Sequence, residues 1–438
     1  MYYSTFNYQF ESKRYGYLIY NGLTRSFATL NKELHDLLIL IKTDPGKIEE
    51  LDSSTKISLE KAKILVTKEQ EEDHFYMKRL SWYNHVFKND TMALTIAPTS
   101  GCNFGCPYCF EQGIKSKTMD DKIIDSLIDF IKDHQPLKDL KITWYGGEPL
   151  LQPEIIKKIR KKIKQHNLPL NGEGLVTNGY LLNETNQNQI IDNHFRTLQI
   201  TLDGTKKIHN QRRYLKNDKS KSTWDVIVRN IDQFLGKEHK VKVSIRCNID
   251  QDNLSLFDEL KKQLQTRWNY DKRVHIYPSV VYNYNENEQN KCNLMDLDDL
   301  AIFKLEQAQA NNIDIYPSFN TRNCGLMNIN SYVIGPEGEL YKCWNDLGIK
   351  SKEVGSVMSP HEFNMKWMAR YMAGPSMLDE KECIKCPLFF LCMGGCQYNR
   401  LENKYNNKQQ PLCTYYKNHF DKFLELHYEQ KLAKANVT

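Results

Sequence analysis

The stretch "TSGCNFGCPYCFEQG", residues 99–113, places Cys102, Cys106 and Cys109 within eight positions. A structural zinc ion fills a tetrahedron and recruits four Cys or His ligands. A cube of four irons and four sulfides also has four corners, each ordinarily held by a thiolate. Three thiolates on such a cube leave one iron open to another ligand. The cysteine count therefore poses a choice between a closed site and a working one, and the flanking sequence decides it.

Around and beyond this stretch the pattern alternates between strand and helix. Strands are expected at "MALTIAP" (92–98), "LKITWYG" (140–146), "GLVTNG" (174–179), "RTLQITLDG" (196–204), "VKVSIRCNID" (241–250) and "RVHIYPSV" (273–280). Between them "DDKIIDSLIDFIKDH", "PEIIKKIRKKIKQH", "NQIIDNHF", "TWDVIVRNIDQFL" and "LFDELKKQLQT" carry the apolar period of helices. Six βα repeats predict an α/β fold, with a parallel sheet curled into a partial (β/α)6 barrel over residues 91–285. Ligands in such sheets sit at the carboxyl ends of the strands. The three cysteines directly follow the first strand.

The C-x3-C-x2-C spacing at that place resembles the signature of radical S-adenosylmethionine enzymes. "GGEP" (146–149) closes the second strand, as that family's loop for the methionyl amino group does. "VTNG" (176–179) closes the third, "LDG" (202–204) the fourth, and "IHNQRR" (208–213) is similar to the family's H-D-x-x-R segment, with Asn210 in place of Asp. Each motif alone is weak, but in register on successive strand ends they displace zinc. The resemblance implies a [4Fe-4S] cluster on Cys102, Cys106 and Cys109 whose fourth iron takes S-adenosylmethionine. Reduction of the sulfonium would then leave a hydrogen-abstracting 5′-deoxyadenosyl radical. It places Tyr108, Gly146, Gly147, Glu148, Thr177, Asn178, Asp203 and Arg213 among the cofactor-binding residues. Tyr108 would contact adenine, and Arg213 would pair with the cofactor carboxylate by a fork that Lys lacks.

A second cysteine set follows. Cys324 precedes "GPEGELYKC", which ends on Cys343, and then come Cys383, Cys386, Cys392 and Cys396 in a C-x2-C-x5-C-x3-C run, and Cys413. A zinc ribbon is the plain alternative for the middle four. The whole set resembles the seven-cysteine SPASM extension of radical enzymes, here over residues 321–415. That family's pattern gives Cys383, Cys386, Cys392 and Cys413 to one closed cluster, and Cys324, Cys343 and Cys396 to another with an open corner. Three [4Fe-4S] clusters are thus expected in all. Cys292 is a distant candidate for that corner, which a carboxylate or a substrate thiol could also fill, and Cys247, on a strand, reads as a buried small residue. A bridging region at 286–320 and an amphipathic terminal helix within 416–438 complete the chain.

Residues 1–90 read as strands, then helices. Asn21-Gly22 marks a hairpin between aromatic and β-branched runs, Asn31 caps a helix carrying Leu34, Leu37, Leu38 and Ile41, and a long helix follows from about 69 to 88. This predicts a winged-helix-like β+α domain. Its 13 Lys or Arg against 13 Asp or Glu lack the positive face that nucleic acid requires. The 438-residue chain carries a thin net charge of +6, and its longest aliphatic run, "LLILI" at 37–41, is too short for a bilayer. Twelve cysteines without an export signal favour metal or redox chemistry in the cytoplasm over disulfides.

SPASM proteins mostly modify peptides, so the resemblance implies a peptide partner and a small-protein or chemical electron donor. Residues 1–90 are similar in element order to the leader-recognition domains of maturases of ribosomally made peptides. Such a domain binds a leader as an added strand. The expected function is installation of a thioether or carbon–carbon crosslink in a precursor peptide. Anaerobic sulfatase-maturating enzymes, which make formylglycine, are the alternative. There an aspartate base follows the cysteine matching Cys343, where this chain has Trp344, with Asp346 nearby. A non-catalytic iron–sulfur carrier is the third reading, against which "GGEP" and Arg213 speak. No catalytic side chain is assigned.

Overall fold

The computed structural model describes residues 1–282, 292–320 and 324–435. From the N-terminus come β1 (Tyr2–Tyr3), β2 (Asn7–Ser12), β3 (Gly16–Asn21), β4 (Phe27–Leu30), α1 (Lys32–Thr43), α2 (Ser53–Lys61), β5 (Leu65–Val66) and α3 (Lys68–Val86). The repeating part holds β6 (Thr91–Ile96), α4 (Asp121–Asp133), β7 (Asp139–Trp144), α5 (Pro153–Gln165), β8 (Leu170–Thr177), α6 (Glu184–Asp192) and β9 (Thr197–Thr201). It continues through α7 (Lys206–Arg212), α8 (Thr223–Leu235), β10 (Lys242–Ile249), α9 (Phe257–Arg267) and β11 (Val274–Val280). After α10 (Leu297–Ala310) come β12 (Ser331–Ile334), β13 (Glu339–Tyr341), β14 (Gly355–Ser356) and α11 (Met365–Ala373). The last helices are α12 (Lys381–Ile384), α13 (Phe389–Cys392), α14 (Gln397–Asn406) and α15 (Phe420–Ala435).

The six repeat strands lie side by side in the order β11-β10-β9-β8-β7-β6, all parallel, as the repeats predict. β12 adds in parallel to β6, and β13 and β14 extend that edge antiparallel. The helices bury the stripes their period announces. Ile124, Leu127, Ile128 and Ile131 of α4 are each 2% exposed or less, and full burial of such a side chain contributes about 1.5–3 kcal/mol. Cys247 is buried on β10, as expected.

The chain forms two compact units, one of residues 1–87, 296–324 and 373–438, the other of 88–295 and 325–372. In the first, β3 is buried on both faces. Ile19 joins Leu38 and Ile41 of α1, while Tyr20, pointing the other way, packs with Leu388, Leu391, Phe420 and Leu424. The N-terminal sheet thus shares a core with α15. Asn31 caps α1 by accepting from Leu34 N, as expected. Asn21-Gly22 does not form a two-residue turn. It opens a longer connection in which Asn21 Oδ1 accepts from Leu23 N and Thr24 N, and a Cβ on Gly22 would collide with the Pro387 carbonyl. The border expected at 285/286 lies outside the described residues, as do residue 321 and the chain end at 436–438. Among the described residues no helix is long and apolar enough to cross a membrane.

Candidate active site

The loop after β6 is held by bonds to neighbouring backbone rather than by regular structure. Ser100 N and Thr99 Oγ1 both donate to Lys117 O, at 3.0 and 2.7 Å, and Gly105 N donates to Tyr214 O at 3.0 Å. This brings the three thiols together. Burial raises all three pKa values, that of Cys102 to about 11; Cys106 adds to the rise of Cys102, and Cys106 and Cys102 both add to that of Cys109. Three thiols on one loop fit a four-iron cube, which takes each thiolate at its own corner and would here leave the fourth iron open.

The "GGEP" loop locks onto this loop backbone to backbone. Gly147 N donates to Thr99 O at 3.2 Å and Glu148 N to Gly101 O at 2.8 Å. Gly146 has φ +103°, which favours glycine, and a Cβ on Gly147 would collide with the Gly101 carbonyl. Glu148 is fully buried. It accepts from Leu150 N (2.9 Å), Thr177 Oγ1 (2.7 Å) and Asn178 N (2.7 Å), so its carboxylate ties the end of β7 to the end of β8. Asn178 reaches back to Asn103 Oδ1 at 2.7 Å, with its Nδ2 4.0 Å from Cys102 Sγ.

Across the site, the Tyr108 hydroxyl is a hub. It donates to Asp203 and accepts from Arg213 Nη1 (2.8 Å) and Asn248 Nδ2 (3.1 Å). Asp203 Oδ1 also accepts from Asn248 N at 3.0 Å. Burial works against the Arg213 charge, yet Cys106, Tyr108 and Asp203 hold its pKa well above the usual value. Its Nε is buried with no hydrogen-bond partner in the protein. A charged donor so placed suits a carboxylate ligand. His209 is buried and kept neutral, and its Nδ1 accepts from Asp203 N at 3.3 Å. Asn210 joins α7 to the start of α8 by accepting from Trp224 N at 3.0 Å and donating to Ser222 Oγ at 3.0 Å.

A group of aromatic rings lies beside the thiols. Tyr145, just before Gly146, lies 4.6 Å from Trp344 and 6.4 Å from Phe110, centroid to centroid. Burial lifts the Tyr145 phenol far above its ordinary pKa, helped by Glu111, Cys109 and Cys343 against Arg246. Burial also pushes the Glu111 carboxyl up to about 8, with Lys216 opposing. Trp344 is 38% exposed, whereas Asp346 is fully buried and accepts from the Tyr371 hydroxyl.

Of the second cysteine set, Cys383, Cys386, Cys392 and Cys413 come together. Cys386 is raised by burial and then by Cys383 and Cys413, and Cys392 by burial and then by Cys413 and Cys386. Cys324 and Cys396 belong to the first unit and Cys343 to the second. Cys292 sits by Asp250, its thiol pushed up to about 11 mainly by burial. The motifs did not single out Asn103, Tyr145 or Asn248. Their one signal is position, at or just beyond the carboxyl end of a parallel strand.

Residues 96–263 match the Radical SAM superfamily, and this part of the chain is a radical SAM domain. The cysteine-type anaerobic sulfatase-maturating enzyme of Clostridium perfringens is 23% identical over 383 residues, covering 79% of this chain and 98% of its own. Among solved structures, anSMEcpe with bound AdoMet and Kp18Cys peptide aligns at TM-score 0.62 and 21% identity, over 80% of this chain and all of its own. Streptococcus suis SuiB bound to precursor peptide SuiA aligns at 0.53 and 14%, over 94% and 98%. These likenesses establish the fold: a radical SAM α/β domain with a largely parallel sheet, followed by a cysteine-rich C-terminal part.

Proposed function

We propose that this protein is a radical SAM maturase that crosslinks a ribosomally made precursor peptide. Cys102, Cys106 and Cys109 would hold the [4Fe-4S] cluster, and Arg213 would bind the carboxylate of S-adenosylmethionine. The cluster and cofactor they hold would supply, once reduced by a small-protein or chemical donor, a carbon radical able to take hydrogen from an unactivated C–H bond. Glu148 keeps the two strand-end loops in register, and the Tyr108–Asp203–Asn248 bonds orient Arg213. Phe110, Tyr145 and Trp344, grouped beside the thiols, would pack against a substrate side chain. Cys383, Cys386, Cys392 and Cys413 would hold one auxiliary cluster, and Cys324, Cys343 and Cys396 a second.

The observation that carries this reading over formylglycine formation is Trp344, packed on Tyr145. It occupies the position where a base is expected, and Asp346 is turned into the core against Tyr371. The likeness to SuiB also spans more of the chain than that to anSMEcpe. The sequence relatives favour the alternative, since four of them are anaerobic sulfatase-maturating enzymes. Mass spectrometry separates the two. Incubated anaerobically with the peptide of a neighbouring small reading frame, the protein should remove two hydrogens and tie two residues together in fragmentation. Conversion of the Kp18Cys peptide to formylglycine, or hydrogen loss confined to one residue, would overturn the crosslink.

A further inference from the structure

Two cations touch the C-terminal cysteines. Arg400, on α14, is 4% exposed; its Nη2 donates to Cys383 Sγ at 3.3 Å and its Nε to Gly394 O at 2.9 Å. Its Nη1 lies 3.3 Å from Glu380, whose side chain is half exposed and screened by water. Lys417 Nζ donates to Cys413 Sγ at 3.5 Å. The barrel thiol Cys102 has neutral donors instead, Phe104 N at 3.4 Å and Asn178 Nδ2 at 4.0 Å. We propose that Arg400 and Lys417 are positioning residues that raise the reduction potential of the iron–sulfur centre bound by Cys383, Cys386, Cys392 and Cys413.

The inference rests on the reading that these four thiolates bind a cluster. Each electron such a centre takes up adds one negative charge, and no atom is transferred. A cation hydrogen-bonded to a ligand sulfur stabilises that added charge, most strongly where burial limits screening, as at Arg400. Arg400 also fixes the Gly394 carbonyl, in the turn where Gly394 and Gly395 both have positive φ between Cys392 and Cys396. It therefore holds the loop as well as the charge. Lys417, on the surface, holds charge alone.

The test is a redox titration of the reconstituted full-length protein with titanium citrate, following each reduced cluster by electron paramagnetic resonance. Cys413→Ala identifies the signal that belongs to this centre. Lys417→Gln and Arg400→Gln should each lower its midpoint, and Lys417→Glu should lower it further, while the other signals and the iron content hold. A purely structural role would leave the midpoint in place. An unmoved midpoint in iron-replete Lys417→Glu overturns the proposal, including the case in which Arg400→Gln loses iron. Failure of the underlying reading shows separately. In that case the wild-type protein would hold about eight irons instead of about twelve, and Cys413→Ala would remove no signal, which overturns the proposal as well.

Discussion

Trp344 and Asp346 lie two positions apart and do different work. Trp344 stands against Tyr145, while Asp346 Oδ2 accepts from the Tyr371 hydroxyl inside the core. Asp346→Asn keeps an acceptor for Tyr371 and removes any base, so peptide turnover per folded molecule should persist. Asp346→Ala strands a buried hydroxyl and should cost about 1–3 kcal/mol, seen as a melting temperature a few degrees lower. Lost turnover in Asp346→Asn with unchanged melting would make Asp346 the base. At this scale the cysteines were legible, because thiolate ligation demands a fixed local spacing. Asn210 was not. Its oxygen serves Trp224 N and its amide Ser222, roles that exist only once α7 and α8 are packed.

Among the elements, β4 is the edge to which a leader peptide would add under the proposed function. It is an edge of the sheet β2-β3-β4, and Asn21 N donates to Ser26 O at the start of its ladder. Bonded pairs alternate along an antiparallel ladder, so the pair Ile19–Ala28 is bonded and Leu18–Thr29 is not. The Thr29 amide therefore faces outward, where an added strand would use it. Thr29→Pro should leave the sheet folded and weaken leader binding to the full-length protein roughly tenfold, read by anisotropy of a labelled leader peptide. Equal affinity would remove strand addition from the account. The barrel elements were legible because strand and helix periods alternate without interruption. The Asn21-Gly22 turn was misjudged because its geometry answers to Pro387, hundreds of residues away.

At the scale of the whole molecule, chain order is a poor guide. Residues 1–87 share a unit with 296–324 and 373–438, because Tyr20 of β3 and Phe420 of α15 belong to one core. No local period announces such a pairing, since each partner alone reads as an ordinary buried aromatic. The reading of the chain as a radical enzyme with a SPASM extension requires that it hold three clusters and cleave S-adenosylmethionine. The direct measurement is iron, sulfide and 5′-deoxyadenosine on anaerobically reconstituted protein under dithionite. The account predicts about twelve irons and twelve sulfides with steady release of 5′-deoxyadenosine. Replacing Cys102, Cys106 and Cys109 together by Ala should remove about four irons and all release. Iron-replete protein that forms no 5′-deoxyadenosine would contradict it and leave an electron carrier in its place.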